Sequence, residues 1–429
     1  MRFFAFGVIR TMNILIVGNG FDLSHYLPTK YEHFMAAMRA VESWDESKGY
    51  MGFDDLFRSL YEKENYFFSY TKAMYKTDQI KISVDQIKDL KIKLKENVWF
   101  RFFLHHVNNI ETWIDFESEF ANALDLVAIF SEKAERIYQF NEKLEELVLC
   151  RTEKEQNKYI LFKEKSIQKL VLLGILDSLN ENTRNAKINR KYYRNNKLDL
   201  DINSHLIIED LERNLNNFIK LFDWYLVNIV EELSTYNKIN KEKFTFDIEH
   251  LDILSFNYTQ TLNRFYTPDT KIEFIHGRVG KSLVLGISDL KNDFLKKFKN
   301  YSFTKYHQKL LNNTDYLFLR ENKKLMSLID SNHIGQQNIN LYIWGHSLAE
   351  SDESYINEIF SFNQKPNVQC LVTVYFHGND APRLLNNLLD ILKKDKVELW
   401  MKKGWLKFEK NPDIAKLNNI QPVELPKFE

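Results

Sequence analysis

Cysteine is nearly absent from this chain, and the two present, Cys150 and Cys370, stand far apart with no metal-ligand spacing. That excludes a disulfide-stapled scaffold and reads as free buried thiols in a reducing compartment such as the cytoplasm. Neither sign of charge prevails: Lys plus Arg and Asp plus Glu both number 59. No global field therefore draws the protein to nucleic acid or to a membrane surface. No apolar run approaches the length of a bilayer span. The opening residues MRFFAFGVIRTM carry Arg10 inside a short apolar run and no small-residue cleavage site, unlike a signal peptide. Met12 directly precedes the first strand, so residues 1–11 read as an upstream-start extension. No C-x-x-C, H-E-x-x-H or P-loop sequence occurs, which leaves zinc hydrolysis and Walker-type phosphoryl transfer without a signature. No metal is implied. Gly345-His346-Ser347 is not a nucleophile elbow, because the glycine needed two residues after Ser347 is Ala349.

Glycine is scarce as well, with 13 residues, so its placement is informative. Gly18, Gly20, Gly277, Gly280, Gly286, Gly345 and Gly378 fall at or just after strand-like runs. Ligands of open parallel sheets bind at the carboxyl ends of strands, so this bias points to several strand ends sharing one site. The run Ile14-Leu15-Ile16-Val17 does not alternate, as expected of a strand buried on both faces. It stops at Gly18-Asn19-Gly20, and Phe21-Asp22-Leu23 read as the first turn of a helix. Strand, glycine turn and helix start is the layout that presents backbone N–H groups to a phosphate, although the third glycine of G-x-G-x-x-G is here Leu23.

Hydrophobic residues make up 44% of 429, enough for two or three domains, or one α/β domain with a large insertion. Residues 28–245 read as mainly helical. Phe100, Leu104, Val107 and Ile114, then Phe116, Phe120, Leu124 and Val127, recur at helical spacing. Within this block, residues 180–204 are rich in Asn, Lys and Arg and have almost no apolar period. They read as a mobile loop or, through Arg190, Lys191, Tyr192, Tyr193 and Arg194, as an arm touching nucleic acid. From about residue 246 the texture becomes α/β. LDILSF (251–256), IEFIH (272–276), NLYIWG (340–345), QCLVTVYF (369–376) and VELW (397–400) read as strands, which with the first make a parallel sheet of about six. The tail 401–429, with Pro412, Pro422 and Pro426, reads as loop.

Four polar groups are candidates for chemistry. Asn257 follows LDILSF and can hold a water or a sugar hydroxyl, or cap a helix. His276 ends the next strand before Gly277 and is suited to proton transfer, or to a plain hydrogen bond. Gly345, His346, Ser347 and Asp352 follow a later strand and read as a phosphate or ribose turn, or as a capped helix start. Asp115 and Glu117 stand at i and i+2 in the helical block, on different faces, so they form no chelate by themselves. Burial beside aromatic rings would raise the Glu117 pKa.

The pieces ILIVGNGFDLSHYLPTKYEHF, WIDFE, LSFNYTQTL, IHG, IWGHSLAESDESYINEIF and YFHGND with RLLNNLLDIL, in this order, resemble the abortive-infection AbiH family of bacterial antiphage proteins. That resemblance implies a role in phage defence. The order of glycine turn, Asn after a strand, His-Gly after the next and Gly-x-Ser after a later one is also similar to sirtuin-like NAD-binding domains. Carried over by position, Gly18 and Gly20 would face the pyrophosphate, with Asn19, Phe21 and Asp22 of the same turn also in the cofactor site. Asn257 would place water or ribose hydroxyls, His276 would act as general base beside Gly277, and Gly345 with Ser347 would hold the adenosine ribose, His346 between them also lying in the cofactor site. Two positions depart from that pattern. Asp22 stands where a small or hydroxyl residue is usual, and a carboxylate there repels a phosphate by roughly 1–4 kcal/mol at 4 Å. Asp22 is then left to ribose hydroxyls, a cation, or its own helix. Thr259 replaces an acid that often follows the Asn, and the zinc cysteines of deacetylases are missing.

The combined expectation is an α/β protein with a Rossmann-like, sirtuin-like parallel sheet of about six strands. Residues 12–27 and 246–400 form its core, and the mainly helical 28–245 is inserted after the first strand. The expected activity is hydrolysis of NAD or a related nucleotide at its N-glycosidic bond on infection. Asn257 and His276 are its catalytic residues, with Asp115, Glu117, Thr259 and Asp352 in support. A non-catalytic nucleotide sensor and a nucleic-acid-targeting toxin are the alternatives. Partners are a nucleotide and a phage-derived trigger; self-association and nucleic acid stay open, and no membrane is involved.

Overall fold

The computed structural model describes residues 10–106, 113–138, 147–148, 162–180, 185–196, 199–236, 239, 251–266, 270–314, 337–364 and 367–427. Six strands, β1 (Arg10–Val17), β2 (Asp252–Ser255), β3 (Ile272–Phe274), β4 (Gln337–Trp344), β5 (Val368–Phe376) and β6 (Leu406–Lys410), build an all-parallel sheet. Its order is β6-β5-β4-β1-β2-β3. Read from the other edge this is 3-2-1-4-5-6, so the winding reverses between β1 and β4. Val17 pairs with Trp344 on one side and Ser255 on the other, so three carboxyl ends finish level.

The unbroken apolar run of β1 follows from burial on both faces. Leu15 and Val17 join a core with Phe34, Phe116, Phe120, Phe218 and Phe222 of the helical block. Met12, Ile14 and Ile16 face a second core, closed by helices Glu353–Ile359, Ala381–Leu392 and Lys394–Lys402. The strand begins at Arg10, and Arg10 and Thr11 pair with Gln337 and Asn338, ahead of Met12.

Between β1 and β2 the described chain is mostly helical, including Tyr31–Ser43, Val84–Glu96, Val98–His106, Trp113–Tyr138 and Ser204–Tyr225. The stripe Phe116, Phe120, Leu124, Val127 is buried as its spacing requires. Ser83 caps its helix by accepting from Gln86 N at 3.3 Å while Gln86 Oε1 accepts from Ser83 N at 3.0 Å. The last turn after Tyr225 loosens into a π-helical turn, Leu226–Val230. Within the polar segment, residues 193–196 and 199–202 pair as an antiparallel hairpin, Tyr192 is buried, and Lys191 binds Asp210 at 3.0 Å. Residues 181–184 and 197–198 of that segment, with Val107 and Cys150, lie outside the described residues. Cys370 is a free, buried thiol that burial pushes up to about 12.

One expected strand is corrected. VELW lies in the helix Lys394–Lys402, where Val397 and Trp400, three apart, are buried and Leu399 and Met401 are exposed. A four-residue apolar run fits one helical face as well as a strand. The sixth strand is instead Leu406–Lys410, inside the stretch expected to be loop. It lies at the sheet edge and carries Lys407, Glu409 and Lys410, charges that suit an edge.

Candidate functional site at the carboxyl ends of the strands

The turns after β1 and β4 are packed backbone against backbone. Gly20 N–H donates to Gly345 O at 2.9 Å, and Gly18 N–H donates to Trp344 O at 3.1 Å. A Cβ on Gly345 would lie 2.1 Å from Phe21 N, and one on Gly18 2.6 Å from the Cα of His346. Gly345 also has φ +73°, in the left-handed region. These glycines are required by the facing turn, which fills the space their missing side chains leave. Two N–H groups of the short helix Asn19–Ser24 are likewise used internally, Gly20 on Gly345 O and Phe21 on Gly18 O at 2.8 Å.

A cavity of about 700 Å³ opens over these turns, in the size range of small-molecule sites. Gly18, Asn19, Gly20, Asp22, Glu117, Asn257, Thr259, His276, Gly345, His346, Ser347 and Asp352 all line it. Three sequence-derived candidates do not. Phe21 is buried against His25 and Trp344, with ring centres 4.5 and 4.9 Å away. Gly277 has φ +81°, and a Cβ there would strike Ser282 O, so it serves its own hairpin. Asp115 lies outside the lining.

Asp22 is 1% exposed. Its Oδ2 accepts from Thr259 Oγ1 at 2.7 Å, and Thr259 is linked to Thr261 Oγ1 at 2.9 Å. Burial pushes the carboxyl up to about 7, opposed by the two threonine hydroxyls and the Asn257 side chain and assisted by Glu231. Glu231 follows the π-helical turn and is held by Gln260 N–H, which donates to its Oε1 at 2.9 Å. The segment after Asp22 is pinned from outside. Tyr75 Oη donates to His25 O at 2.6 Å, and Tyr225 Oη to Pro28 O at 2.5 Å. His25 Nδ1 donates to Phe21 O at 2.7 Å, so its Nε2 accepts from the Tyr266 hydroxyl.

The same cavity is lined by a charged cluster. His276, 6% exposed, places Nε2 3.3 Å from Asp352 Oδ1, an ion-pair distance without hydrogen-bond alignment. His346 Nδ1 accepts from Leu348 N–H at 3.0 Å, which puts its proton on Nε2, 3.4 Å from Asp352 Oδ2. Leu348 has φ +55°, a strained position for a branched residue. Burial first, then the Lys305 cation, lowers His276 to about 3, against the pull of Asp352. Burial pushes Asp352 up, but Lys305 and the two histidines outweigh it and hold the group well below the carboxylate range. The result at neutral pH is an ionised Asp352 beside a neutral His276.

Lys305 was not found by sequence reasoning. It is 4% exposed, and its Nζ lies 2.5 Å from Glu117 Oε1, which fixes Glu117 at the cavity wall. In sequence, Lys305–Asn312 (KYHQKLLN) looks like a solvated helix, so no local signal marks Lys305 as buried. Thr261 and Glu231 were missed for the same reason: their role is set by contacts remote in sequence. The cavity is also lined by Tyr26, Tyr66, Phe67, Arg383 and Asn411. Among the described residues, no group of three or more His, Cys, Asp or Glu is arranged to hold a metal ion. Among them, too, no helix is long and apolar enough to cross a membrane.

A family model described as "Bacteriophage abortive infection AbiH" matches residues 14–374. That span runs from β1 into β5 and includes every residue of the Asp22 and Asp352 clusters. No curated protein and no solved structure matches the chain.

Proposed function

The chain belongs to the AbiH family of bacteriophage abortive infection proteins, and on that premise we propose that it hydrolyses NAD or a related nucleotide at the N-glycosidic bond. One observation carries the reading. Asn257 and His276, from the ends of neighbouring strands, line the same nucleotide-sized cavity at the point where the winding of the sheet reverses, with Asp352 behind His276. Ligands of doubly wound sheets bind at that point.

The chemistry follows from the residues. Loss of nicotinamide leaves an oxocarbenium-like ribose, which needs a polar wall and partners for its hydroxyls. With Nε2–H of His276 turned to the Asp352 carboxylate, the lone pair lies on Nδ1, free to accept from a ribose hydroxyl. Asp352 stabilises the imidazolium if the proton crosses, and the 3.3 Å approach would shorten as it does. The Asn257 amide, 4% exposed, both donates and accepts, and holds the second hydroxyl or the water. The turn Gly345–Ser347 is assigned to the adenosine ribose. Lys305 and Glu117, paired in the cavity lining, help exclude bulk water.

The test is to incubate the full chain with NAD, with and without phage lysate, and to assay nicotinamide. Release that is lost in folded Asn257→Ala and His276→Ala supports the reading. No release in any condition, with NAD raising thermal stability and recovered intact, would make the site a nucleotide sensor instead.

A further inference from the structure

Asp22 has no part in the chemistry just described, yet its setting is costly. The carboxyl is buried, Oδ2 is fixed by Thr259, and Oδ1 makes no aligned hydrogen bond among the described residues, with the Thr261 and Asn257 side chains beside the carboxyl. An unsatisfied buried carboxyl oxygen costs stability, so its presence calls for a reason. Asp22 lines the cavity next to Asn257, with its one tethered oxygen fixing its orientation. The groups facing it are Asn257, Thr259 and Thr261 from the segment after β2, Glu231 beyond the π-helical turn, and Tyr75.

We propose that Asp22 is the base that takes the proton of the water attacking the ribose C1′ in this hydrolysis. The inference rests on the reading above and adds a third catalytic residue to it. The C1′–N bond breaks with its electron pair going to the pyridinium nitrogen, which leaves as neutral nicotinamide. The water oxygen bonds to C1′, and one of its protons passes to Oδ1 of ionised Asp22. The carboxyl then releases that proton to solvent, so NAD and water give nicotinamide, ADP-ribose and one proton. The donor from Thr259 keeps Oδ2 occupied, which leaves Oδ1 as the atom that takes the proton. A carboxyl that titrates near neutrality can both take and return a proton at cellular pH. His276 is less suited to that part: its Nδ1 is already assigned to a ribose hydroxyl, and burial with the Lys305 cation makes its imidazole a weak base.

The experiment measures single-turnover nicotinamide release from NAD by the full chain, together with NAD affinity. Asp22→Asn keeps the shape and the Thr259 contact. It is expected to bind NAD within about threefold of the wild type but to release nicotinamide at least about 100-fold more slowly. It also loses the rise in rate that the wild type shows between about pH 6 and pH 8. In Asp22→Ala, added formate restores the rate in proportion to its concentration, an effect that a merely structural role for Asp22 would not produce. Retention of the wild-type rate and pH profile in Asp22→Asn overturns the inference, as does a folded Asp22→Ala that formate does not rescue. Wild type that releases no nicotinamide overturns the hydrolysis itself, and this inference with it.

Discussion

Thr259 Oγ1 donates to Asp22 Oδ2 across 2.7 Å, which ties the helix that follows β1 to the loop that follows β2. This contact joins residues 237 positions apart and faces the Asp22 carboxyl toward Asn257. Burial nevertheless makes Asp22 a liability for the fold, which the Thr259 hydrogen bond only partly offsets. Folding raises its pKa from an ordinary 3.8 to about 7. Between those values the folded state holds a proton that the unfolded chain has released. Its contribution is therefore fully present below about pH 4 and is lost as pH rises to about 7, on the order of 4 kcal/mol. Asp22→Asn should be more stable than the wild type at pH 8, and the gap should shrink toward pH 5. Calorimetric Tm values at the two pH values check this, and a gap that does not change with pH counts against it.

His276 gives the opposite slope. Burial holds it neutral down to about 3, whereas the unfolded chain protonates near 6.5. The unfolded state thus binds more protons between those values, and stability falls as pH drops through that window. His25, lowered to about 4 by burial, adds to the same limb. His276→Gln should therefore lose less stability than the wild type between about pH 6.5 and pH 4. Unfolding midpoints across that range read the difference directly.

Gly345 is expected to tolerate nothing larger. A Cβ would lie 2.1 Å from Phe21 N, on a backbone with φ +73°. Gly345→Ala combines overpacking of about 1–3 kcal/mol with left-handed strain of about 1 kcal/mol. A drop in Tm of several degrees, with loss of nucleotide-induced stabilisation, is the expected result. Gly378, with open space around its Cβ, serves as the control.

The Lys305–Glu117 pair should behave as a unit. Removing one partner of a buried pair leaves the other charge uncompensated, at about 3–5 kcal/mol. Lys305→Met should destabilise by about that much, and adding Glu117→Gln should recover a good part of it. Denaturation of the two single variants and the double variant measures the coupling. Additive effects would mean that the pair is not coupled.

The sheet was legible because parallel strands buried on both faces leave unbroken apolar runs, as in Ile14–Val17 and in Val372–Val374 with Tyr375. The edge was not: β6 reads Leu-Lys-Phe-Glu-Lys, with little of that signal, and VELW mimicked it from a helix. Asn257 and His276 could be found because each directly follows an apolar run. The glycines were legible as turns, but their reason was not, since it lies in a second turn some 325 residues away, across the sheet. Lys305 was beyond reach. Its burial depends on Glu117 and Asp352, neither of them local, and its own helix has the polar texture of a surface element.

The proposed hydrolysis places the bond to be broken between Asn257, His276 and Asp22. A crystal structure with a carbocyclic NAD analogue, whose glycosidic bond cannot be hydrolysed, tests it most directly. The expected result is the nicotinamide-bearing ring within hydrogen-bond reach of Asn257 and His276, with Asp22 Oδ1 on the face opposite the leaving group. A ligand whose pyrophosphate lies against Asp22, or one bound away from the carboxyl ends of β1, β2 and β4, would contradict it.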